Sequence, residues 1–488
     1  MLKALAWFHR WVGVALCLMF AVWFATGAVM VFVAFPSLPE DVRAARSDLI
    51  DPTQVRIDPA HAAALLGQSS GVRLVSRAGA AAYVGKQDGR FVAISAVNGR
   101  LLPPIAAAQA RTIAERFGRT SAVSVAGPLD YDQWVVHQQF DPSRPLYRVR
   151  LADLQRTELY VSARTGQVLQ QTQGVERAAN WVGSVTHWIY FVPLRRTFAA
   201  WDWTVWLLSL VGLASVTAGI WLGVTRTTKK LRSKRPEISP FRGLLRWHHV
   251  IGLAAGGFVL FWIVSGWLSM DHGRLFSEGQ ATALAEHAYE QGTPAAHAPP
   301  LTAAEVQTLA ARASSVSFDR VDGCEVAAAT GPAAPRVIAA CPAGRVTGQR
   351  IPRAAILSAI ASAWPLERVE SLTAVREDSP YAKAESLPNG VLEAKLTGPR
   401  TLRLFIDPVS GKLLVVMDRS REAYAWFYYM LHTYNYPGLS DRPALRIAIL
   451  LVPLSLGFTF SITGVLVGVR RLRSFQPAPG AANSGTPK

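Results

Sequence analysis

Four of the ten histidines occupy matched positions in the two halves of this 488-residue chain. His187 lies in an aromatic segment, residues 181–191, and His432 lies in a second, residues 425–436. His9 and His248 each open an apolar run, and each is followed four residues later by a glycine. Neutral imidazole is a good ligand for metals and for haem iron. The matched spacing therefore predicts that the four histidines act as two pairs of ligands.

The group that fits two facing histidines in apolar surroundings is a b-type haem. The chain lacks the Cys-x-x-Cys-His motif of covalent attachment. We expect two haems, with His9 and His248 as axial ligands of an inner one, and His187 and His432 as those of an outer one. The glycine one turn from His9 or His248 falls on the same helix face and leaves room for a porphyrin. Aromatic residues of the two segments would wall the outer haem.

Each of these histidines has an ordinary alternative role at a membrane interface, where amphipathic rings are common. Recurrence in both halves favours ligands over interface residues. His249 adjoins His248 and lies about 100° further round a helix, so the doublet leaves open which one is the ligand. His272 follows the third apolar run and has no counterpart in the first half. It is an alternative ligand or a substrate contact.

Four uncharged apolar runs are long enough to cross a bilayer, which needs about 20 residues. They are residues 11–35, 203–224, 250–270 and 447–469. The loop between the second and third runs is rich in Lys and Arg, and basic residues also flank the outer runs. The positive-inside rule therefore places this loop and both chain ends in the cytoplasm and the long segments outside. Much of the net charge of +18 lies in this loop, which indicates topology rather than nucleic-acid binding.

The two long segments between the runs have the character of α+β modules. In the first, residues 104–117 predict a helix, and strands are predicted at 72–76, 82–85, 91–95, 134–137, 146–151 and 158–162. In the second, residues 281–300 are interpreted as a connector, 303–314 and 354–362 as helices, and 392–396, 401–406 and 413–417 as strands. The same order of units in both halves predicts an internal duplication.

The predicted fold class is a helical membrane core of four transmembrane helices that carries two extracytoplasmic α+β modules. The predicted units are a first transmembrane helix (1–35), a first module (36–176), a histidine segment with the second helix (177–225), a basic cytoplasmic loop (226–247), a third helix (248–270), a second module (271–420), a histidine segment with the fourth helix (421–470) and a disordered cytoplasmic tail (471–488).

The three cysteines give two alternatives. Cys17 lies in the first apolar run, whereas Cys324 and Cys341 lie together in the second module. In an oxidising compartment Cys324 and Cys341 form a disulfide, and otherwise they are free thiols.

Other chemistries are weakly signalled. The chain has no HExxH, GxSxG, phosphate-binding glycine loop or dinucleotide fingerprint, so no catalytic residue is predicted. Asp202 and Asp271 flank apolar runs, where charge is tolerated. We expect Thr26, Thr217 and Thr463, inside the runs, to bond to the helix backbone or across helices.

Several motifs together resemble those of the PepSY-associated transmembrane proteins. They are His9-Arg-Trp-Val-Gly13 with Thr26-Gly27, the basic loop that ends Trp247-His248-His249, and Tyr147-Arg-Val-Arg followed by Tyr160-Val-Ser-Ala-Arg-Thr-Gly-Gln-Val168. This family includes iron-regulated inner-membrane proteins and ferric-siderophore reductases. The resemblance covers nearly the whole chain. It implies PepSY modules on a four-helix core in a bacterial inner membrane and, for the reductases, two haems in that core.

Two hypotheses for the function follow. In the first, electrons pass from an unidentified cytoplasmic-side donor through the haems to a ferric siderophore outside, and no nucleic acid is involved. The chain would then act as a ferric-chelate reductase. In the second, the protein is a non-enzymatic sensor or scaffold whose modules bind a peptide or protein, and the histidines are interface residues.

Overall fold

The computed structural model describes residues 1–68, 71–292 and 298–474. In the first half of the chain, two long helices enclose a mixed module. The helices are α1 (Leu2–Met30), α2 (Glu40–Arg46), α3 (Pro59–Leu65), α4 (Ala107–Gly118), α5 (Gly174–Asn180), α6 (Val192–Arg195) and α7 (Phe198–Leu231), and the strands are β1 (Val72–Arg77), β2 (Ala80–Gln87), β3 (Arg90–Ser95), β4 (Ala122–Leu129), β5 (Leu146–Leu151), β6 (Glu158–Ser162) and β7 (Val168–Thr172).

In the second half, two long helices likewise enclose a mixed module. The helices are α8 (Gly243–Ser269), α9 (Ala283–Gln291), α10 (Ala303–Ala310), α11 (Arg353–Ala363), α12 (Pro380–Ala384), α13 (Arg419–Ala425) and α14 (Pro443–Arg473), and the strands are β8 (Ser315–Val321), β9 (Cys324–Thr330), β10 (Arg336–Cys341), β11 (Gly344–Gly348), β12 (Arg368–Ala374), β13 (Leu392–Thr397), β14 (Leu402–Ile406) and β15 (Leu413–Met417).

Helices α1, α7, α8 and α14 are long and apolar enough to cross a membrane, as the four apolar runs predict. The first run ends earlier than predicted, since α1 stops at Met30. Both α1 and α8 pack beside α7 and α14, so the four helices form a ring with α1 and α8 diagonally opposite. Phe24 and Trp262 meet across the middle, with ring centroids 5.7 Å apart. We call the two ends of this bundle the module end, where α1 stops and α7 starts, and the loop end.

The two modules share one sheet, which the sequence does not predict. Seven strands lie in the order β11-β10-β9-β8-β1-β2-β3, and β1 pairs with β8 in antiparallel register from Val72 opposite Phe318 to Val75 opposite Ser315. Each module also has its own four-stranded antiparallel sheet, β4 to β7 in the first and β12 to β15 in the second. The shared sheet therefore joins the halves of the chain at the module end.

Two local predictions are wrong, and both have a physical reason. The predicted strand at 134–137 is a 3-10 turn, Gln133–Val135. Side chains donate hydrogen bonds to the backbone carbonyl oxygens that would otherwise accept from a neighbouring strand. Arg144 donates to the Val135 oxygen at 2.7 Å. The predicted connector at 281–300 contains α9, because Ala285 and Tyr289 lie one turn apart and bury against the second module's core. Residues 293–297 lie outside the described ranges.

The predicted tail is helical at its start, because α14 continues to Arg473. Residues 475–488 lie outside the described ranges.

Cys324 on β9 and Cys341 on β10 form a disulfide with a sequence separation of 17. Both cysteines are buried in the core of the second module. Cys17 is free and lies inside α1.

Replacement of both Cys324 and Cys341 by Ser removes a crosslink that limits the unfolded chain. For a loop of this length we expect a loss of about 3 kcal/mol in the unfolding free energy of the second module. The measurement is the temperature at which a protease begins to cut the full-length protein within residues 298–417. Cys17→Ser is the control and should leave that temperature unchanged. Equal temperatures for the double variant and the control would contradict the prediction.

Candidate functional site

His187 and His432 face each other at the module end of the bundle. Their ring centroids lie 6.4 Å apart, and the ring planes are inclined by 59°. His187 lies two residues after a π-helical stretch, Trp181–Val185, and His432 is the last residue of another, Trp426–His432. Single π-helical turns are rare and are frequent at functional sites. The two matched segments thus bring one histidine from each half into a common site.

The His187 ring is fixed against α1. Its Nδ1 lies 3.0 Å from the Thr26 hydroxyl and 3.2 Å from the Trp23 carbonyl oxygen. The ring fits beside Gly27, where an added Cβ would lie 3.5 Å from its Cε1. Helix α1 therefore supplies both a polar anchor and space for this imidazole.

The His432 ring is fixed against α8 in the same manner. Its Nδ1 lies 3.1 Å from the Ser265 hydroxyl, and an added Cβ at Gly266 would lie 3.2 Å from its Cε1. The Trp262 indole also donates to the His432 carbonyl oxygen at 3.1 Å. Ser265 and Gly266 in α8 thus take the part that Thr26 and Gly27 take in α1.

His9 and His248 are anchored at the loop end. His9 Nδ1 lies 2.9 Å from the Ser215 carbonyl oxygen of α7, and an added Cβ at Gly219 would lie 2.5 Å from the ring. His248 Nδ1 lies 3.0 Å from the Thr463 hydroxyl of α14. Each histidine of α1 or α8 therefore rests on the other long helix of its own half.

The anchors determine which nitrogen of each ring carries the proton. The hydroxyls of Thr26, Ser265 and Thr463 each donate to a carbonyl oxygen of their own helix, so each accepts from imidazole Nδ1–H. For His9 the partner is itself a carbonyl, which can only accept. All four neutral rings therefore hold the proton on Nδ1 and a lone pair on Nε2. Among the described residues, none donates a hydrogen bond to any of these four Nε2 atoms.

Burial lowers the pKa of His187 and of His432 to about 4, and a positive charge on His432 would further lower the pKa of His187. Both rings are consequently neutral near pH 7, which is the form that binds a metal.

The two pairs lie at opposite ends of the bundle. Seventeen residues separate His9 from Thr26 in α1, and the same number separates His248 from Ser265 in α8. At about 1.5 Å per residue this places the pairs about 25 Å apart along the helices. That distance is close to the hydrocarbon thickness of a bilayer, about 30 Å.

His249 and His272, the alternative ligands, are bound elsewhere. His249 Nε2 lies 3.2 Å from the Gly223 carbonyl oxygen, so this ring holds its proton on Nε2 and faces α7. His272 Nδ1 lies 2.6 Å from Asp202 Oδ2. Neither ring joins a pair, whereas His248 faces the bundle.

The glycines that accommodate the rings differ from those predicted. An added Cβ at Gly13 would meet nothing within 4 Å, and the one at Gly252 would meet the Phe460 ring at 2.7 Å. Phe460 itself stacks on His248 with centroids 4.8 Å apart. The close glycines lie on the partner helices, at positions 27, 219, 266 and 464.

Sequence reasoning missed Ser265 and Gly266, although a signal was present. Ser265-Gly266 follows His248 at the spacing with which Thr26-Gly27 follows His9. It also missed the burial of Asp202, which was interpreted as a tolerated flanking charge. Of the three threonines in the runs, Thr26 and Thr463 bond to histidines, whereas Thr217 bonds only to the Leu213 carbonyl of its own helix.

Arg195 fixes the His187 segment to the start of α7. Its guanidinium lies over the rings of Tyr190, Phe198 and Trp201 at 4.8, 5.2 and 4.4 Å from their centroids. Its Nη2 donates to the Gln138 side chain at 2.6 Å. Because these contacts involve the first module, the segment and α7 together, they hold the module against the bundle.

The donor set fits haem iron at the module end. An iron held by two imidazole nitrogens at about 2 Å each separates the ring centroids by about 6 Å, close to the value for His187 and His432. Within the described ranges no group of three or more His, Cys, Asp or Glu side chains is placed to hold a metal ion. His187 and His432 would hold a haem here, and the porphyrin would supply the other ligands that an imidazole pair lacks. The ligand roles of the four histidines stay a prediction.

Comparison with known proteins gives one match. A family model described as the PepSY-associated TM region matches residues 6–471. No curated protein and no solved structure matches this chain.

Gly219→Ala tests the close contact between α7 and His9. The added Cβ would lie 2.5 Å from the ring, so the ring must move. We expect a loss of about 1–3 kcal/mol in stability, measured as a lower midpoint of thermal unfolding in detergent. Gly257→Ala is the matched control in a membrane helix, since its Cβ would meet nothing within 4 Å. A Gly219→Ala protein as stable as the control would show that the contact is absent.

Proposed function

Because this chain belongs to the family of the PepSY-associated TM region, a family of membrane proteins, we propose that it is a b-type haem protein that carries electrons across the bilayer. In this proposal His9 with His248 and His187 with His432 are the axial ligands of two haems. The acceptor is a ferric-siderophore-like chelate at the module end. The basic loop and both chain ends lie in the cytoplasm of a bacterial cell, and the modules lie outside its inner membrane.

The observation that carries the proposal is the common state of the four imidazoles. Each donates Nδ1–H to a helix of its own half, which leaves a lone pair on Nε2. Hydrogen bonding of the second nitrogen is the usual way in which proteins orient a metal-binding histidine. Since each pair takes one ring from each half, two imidazole lone pairs, one from each half, are available at each end of the bundle.

Haem at each pair would supply a one-electron redox couple near each face of the membrane. The chain's own part is to hold the imidazoles at fixed angles and to keep water away. At the module end Tyr428 lies over His432, with ring centroids 6.5 Å apart and planes inclined by 27°. At the loop end Phe460 covers one face of His248. Outer-sphere electron transfer demands no acid or base, which agrees with the lack of a predicted catalytic residue.

The acceptor follows from chemistry and position. Iron(III) binds hard oxygen ligands tightly and iron(II) binds them more weakly, so reduction releases the metal from a siderophore. The modules stand next to His187 and His432, so a polar chelate would approach this pair from the water side. The electron donor on the cytoplasmic side is unidentified in this proposal.

A second candidate is a sensor or scaffold that binds a peptide or protein. The exposed edge strand β11, Gly344–Gly348, favours it, because an extended peptide can add to a free sheet edge. In that case the protein would be colourless, and alanine at all four histidines would leave its function intact.

Full-length protein purified from haem-replete cells should show a Soret band and, after reduction by dithionite, split α and β bands. A pyridine haemochrome assay should give two haems per chain. Addition of a ferric hydroxamate chelate should reoxidise the reduced protein, because the chelate accepts the electrons. A colourless protein would refute the haem proposal. A protein that stays reduced after the ferric chelate is added would refute the assignment of such a chelate as the acceptor.

His187→Ala and His432→Ala should each lower the haem count from two to one, because each removes one ligand of the module-end pair only. The remaining haem should keep its spectrum. His249→Ala is the matched control and should retain two haems, since that ring is bound to Gly223. Two haems in both ligand variants would show that the module-end assignment is wrong.

A further inference from the structure

We propose that Asp202 and His272, with three neighbouring tryptophans, form a binding site for a lipid-soluble para-quinol. The site lies at the module end of α7 and α8 and includes no member of the histidine pairs. The inference concerns binding and goes beyond the proposed function. Only a role of the quinol as electron donor would rest on that function.

The centre of the site is the buried carboxylate of Asp202, near the start of a membrane helix. Asp202 lies in the first turns of α7 and is only 8 % exposed. His272, just beyond the end of α8, lies with Nδ1 2.6 Å from Asp202 Oδ2. A buried carboxylate in a membrane-spanning helix is costly and usually marks a functional site. Because Nδ1–H is directed at the carboxylate, the lone pair of the neutral ring is on Nε2.

Aromatic rings enclose this pair. Trp206 stacks on His272, with centroids 4.7 Å apart and planes inclined by 30°, and Trp203 meets the same ring edge-on at 4.4 Å. Trp267 of α8 lies 5.7 Å from Trp206. Trp203 is 52 % exposed on the flank of α7, where the bilayer would be. The site is therefore flat-walled and reachable from the lipid.

Three polar atoms at the site lack a hydrogen-bond partner within the described part of the chain. Asp202 Oδ1 and Trp267 Nε1 are buried, and no group bonds to His272 Nε2. Buried polar groups are rarely left unpaired in native proteins, so such atoms call for a bound molecule. This molecule must donate to the carboxylate or imidazole and accept from the indole N–H.

A para-quinol meets these demands. Each of its hydroxyls donates and accepts a hydrogen bond, its ring is flat and apolar like the tryptophan walls, and it dissolves in the bilayer that borders the site. A ferric siderophore is too polar to enter from the lipid. Trp267 follows Gly266, against which His432 rests, so the site adjoins the module-end pair.

The test uses the full-length protein in nanodiscs of quinone-free lipid. An azido derivative of a short-chain ubiquinol, kept reduced under anaerobic conditions, is photolysed on the wild type, and the labelled peptides are identified by mass spectrometry. Labels should fall within residues 198–210 or 262–276. Labelling only elsewhere, or none, would overturn the proposal without any variant having to fold.

Equilibrium binding of decylubiquinol to the reduced protein under anaerobic conditions gives the second measurement. Trp267→Phe keeps an aromatic ring at this position but removes the indole N–H that donates to the ligand. His272→Phe removes the imidazole Nε2 that accepts from it. Each should weaken binding by about tenfold, the usual effect of one lost hydrogen bond to a ligand. Trp221→Phe is the matched control on α7, since Trp221 is exposed at the other end of that helix. Unchanged affinity in both site variants would refute the site.

A haem count on the same samples separates the two proposals. Quinol binding in a colourless protein would support this inference and refute the haem proposal alone. A protein with two haems and no quinol binding would refute this inference alone.

Discussion

The membrane part of this protein depends on four hydrogen bonds from imidazole Nδ1. Within the first half, α1 places His9 on α7 at one end, and the segment before α7 places His187 on α1 at the other. The second half does the same with His248 and His432. Because apolar surroundings offer no other partner for a ring N–H, these bonds fix both the helix pairs and the direction of each Nε2. His187 and His432, whose rings lie 6.4 Å apart, come from different halves, so a group bound between them would join the halves through the bundle.

Outside the bundle the halves are joined a second time, by the pairing of β1 with β8. The seven-stranded sheet makes the two modules one body above the module end. Arg195, in contact with Tyr190 and Trp201 and bonded to Gln138, connects this body to α7. The position of His187 relative to His432 is therefore set from two sides, by the helices on which the rings rest and by the modules from which the segments descend.

Much of this arrangement could be predicted from the sequence, and the limits have clear causes. The four membrane helices and eight of the fifteen described module strands follow from apolar length and alternation, which are local properties, whereas β8 to β12 were not predicted. The pairing of His187 with His432 was predicted from spacing. The groups that hydrogen-bond to the histidine rings were not predicted. The rotation of one helix against another decides whether Thr26 or Thr217 contacts a ring, and the sequence does not give that rotation. The contact of β1 with β8 and the burial of Asp202 by His272 join residues 70 or more positions apart, which no local pattern reveals.

The shared sheet also sets the timing of folding. Val75 of β1 pairs with Ser315 of β8, and the 240 residues between their positions include two membrane helices. At a synthesis rate of about 5–20 residues per second, the open edge of β1 waits on the order of ten seconds or longer for its partner. During that interval a free strand edge is open to other chains. A folding helper on the module side that covers this edge would raise the yield of the whole protein, even though it never touches the histidines.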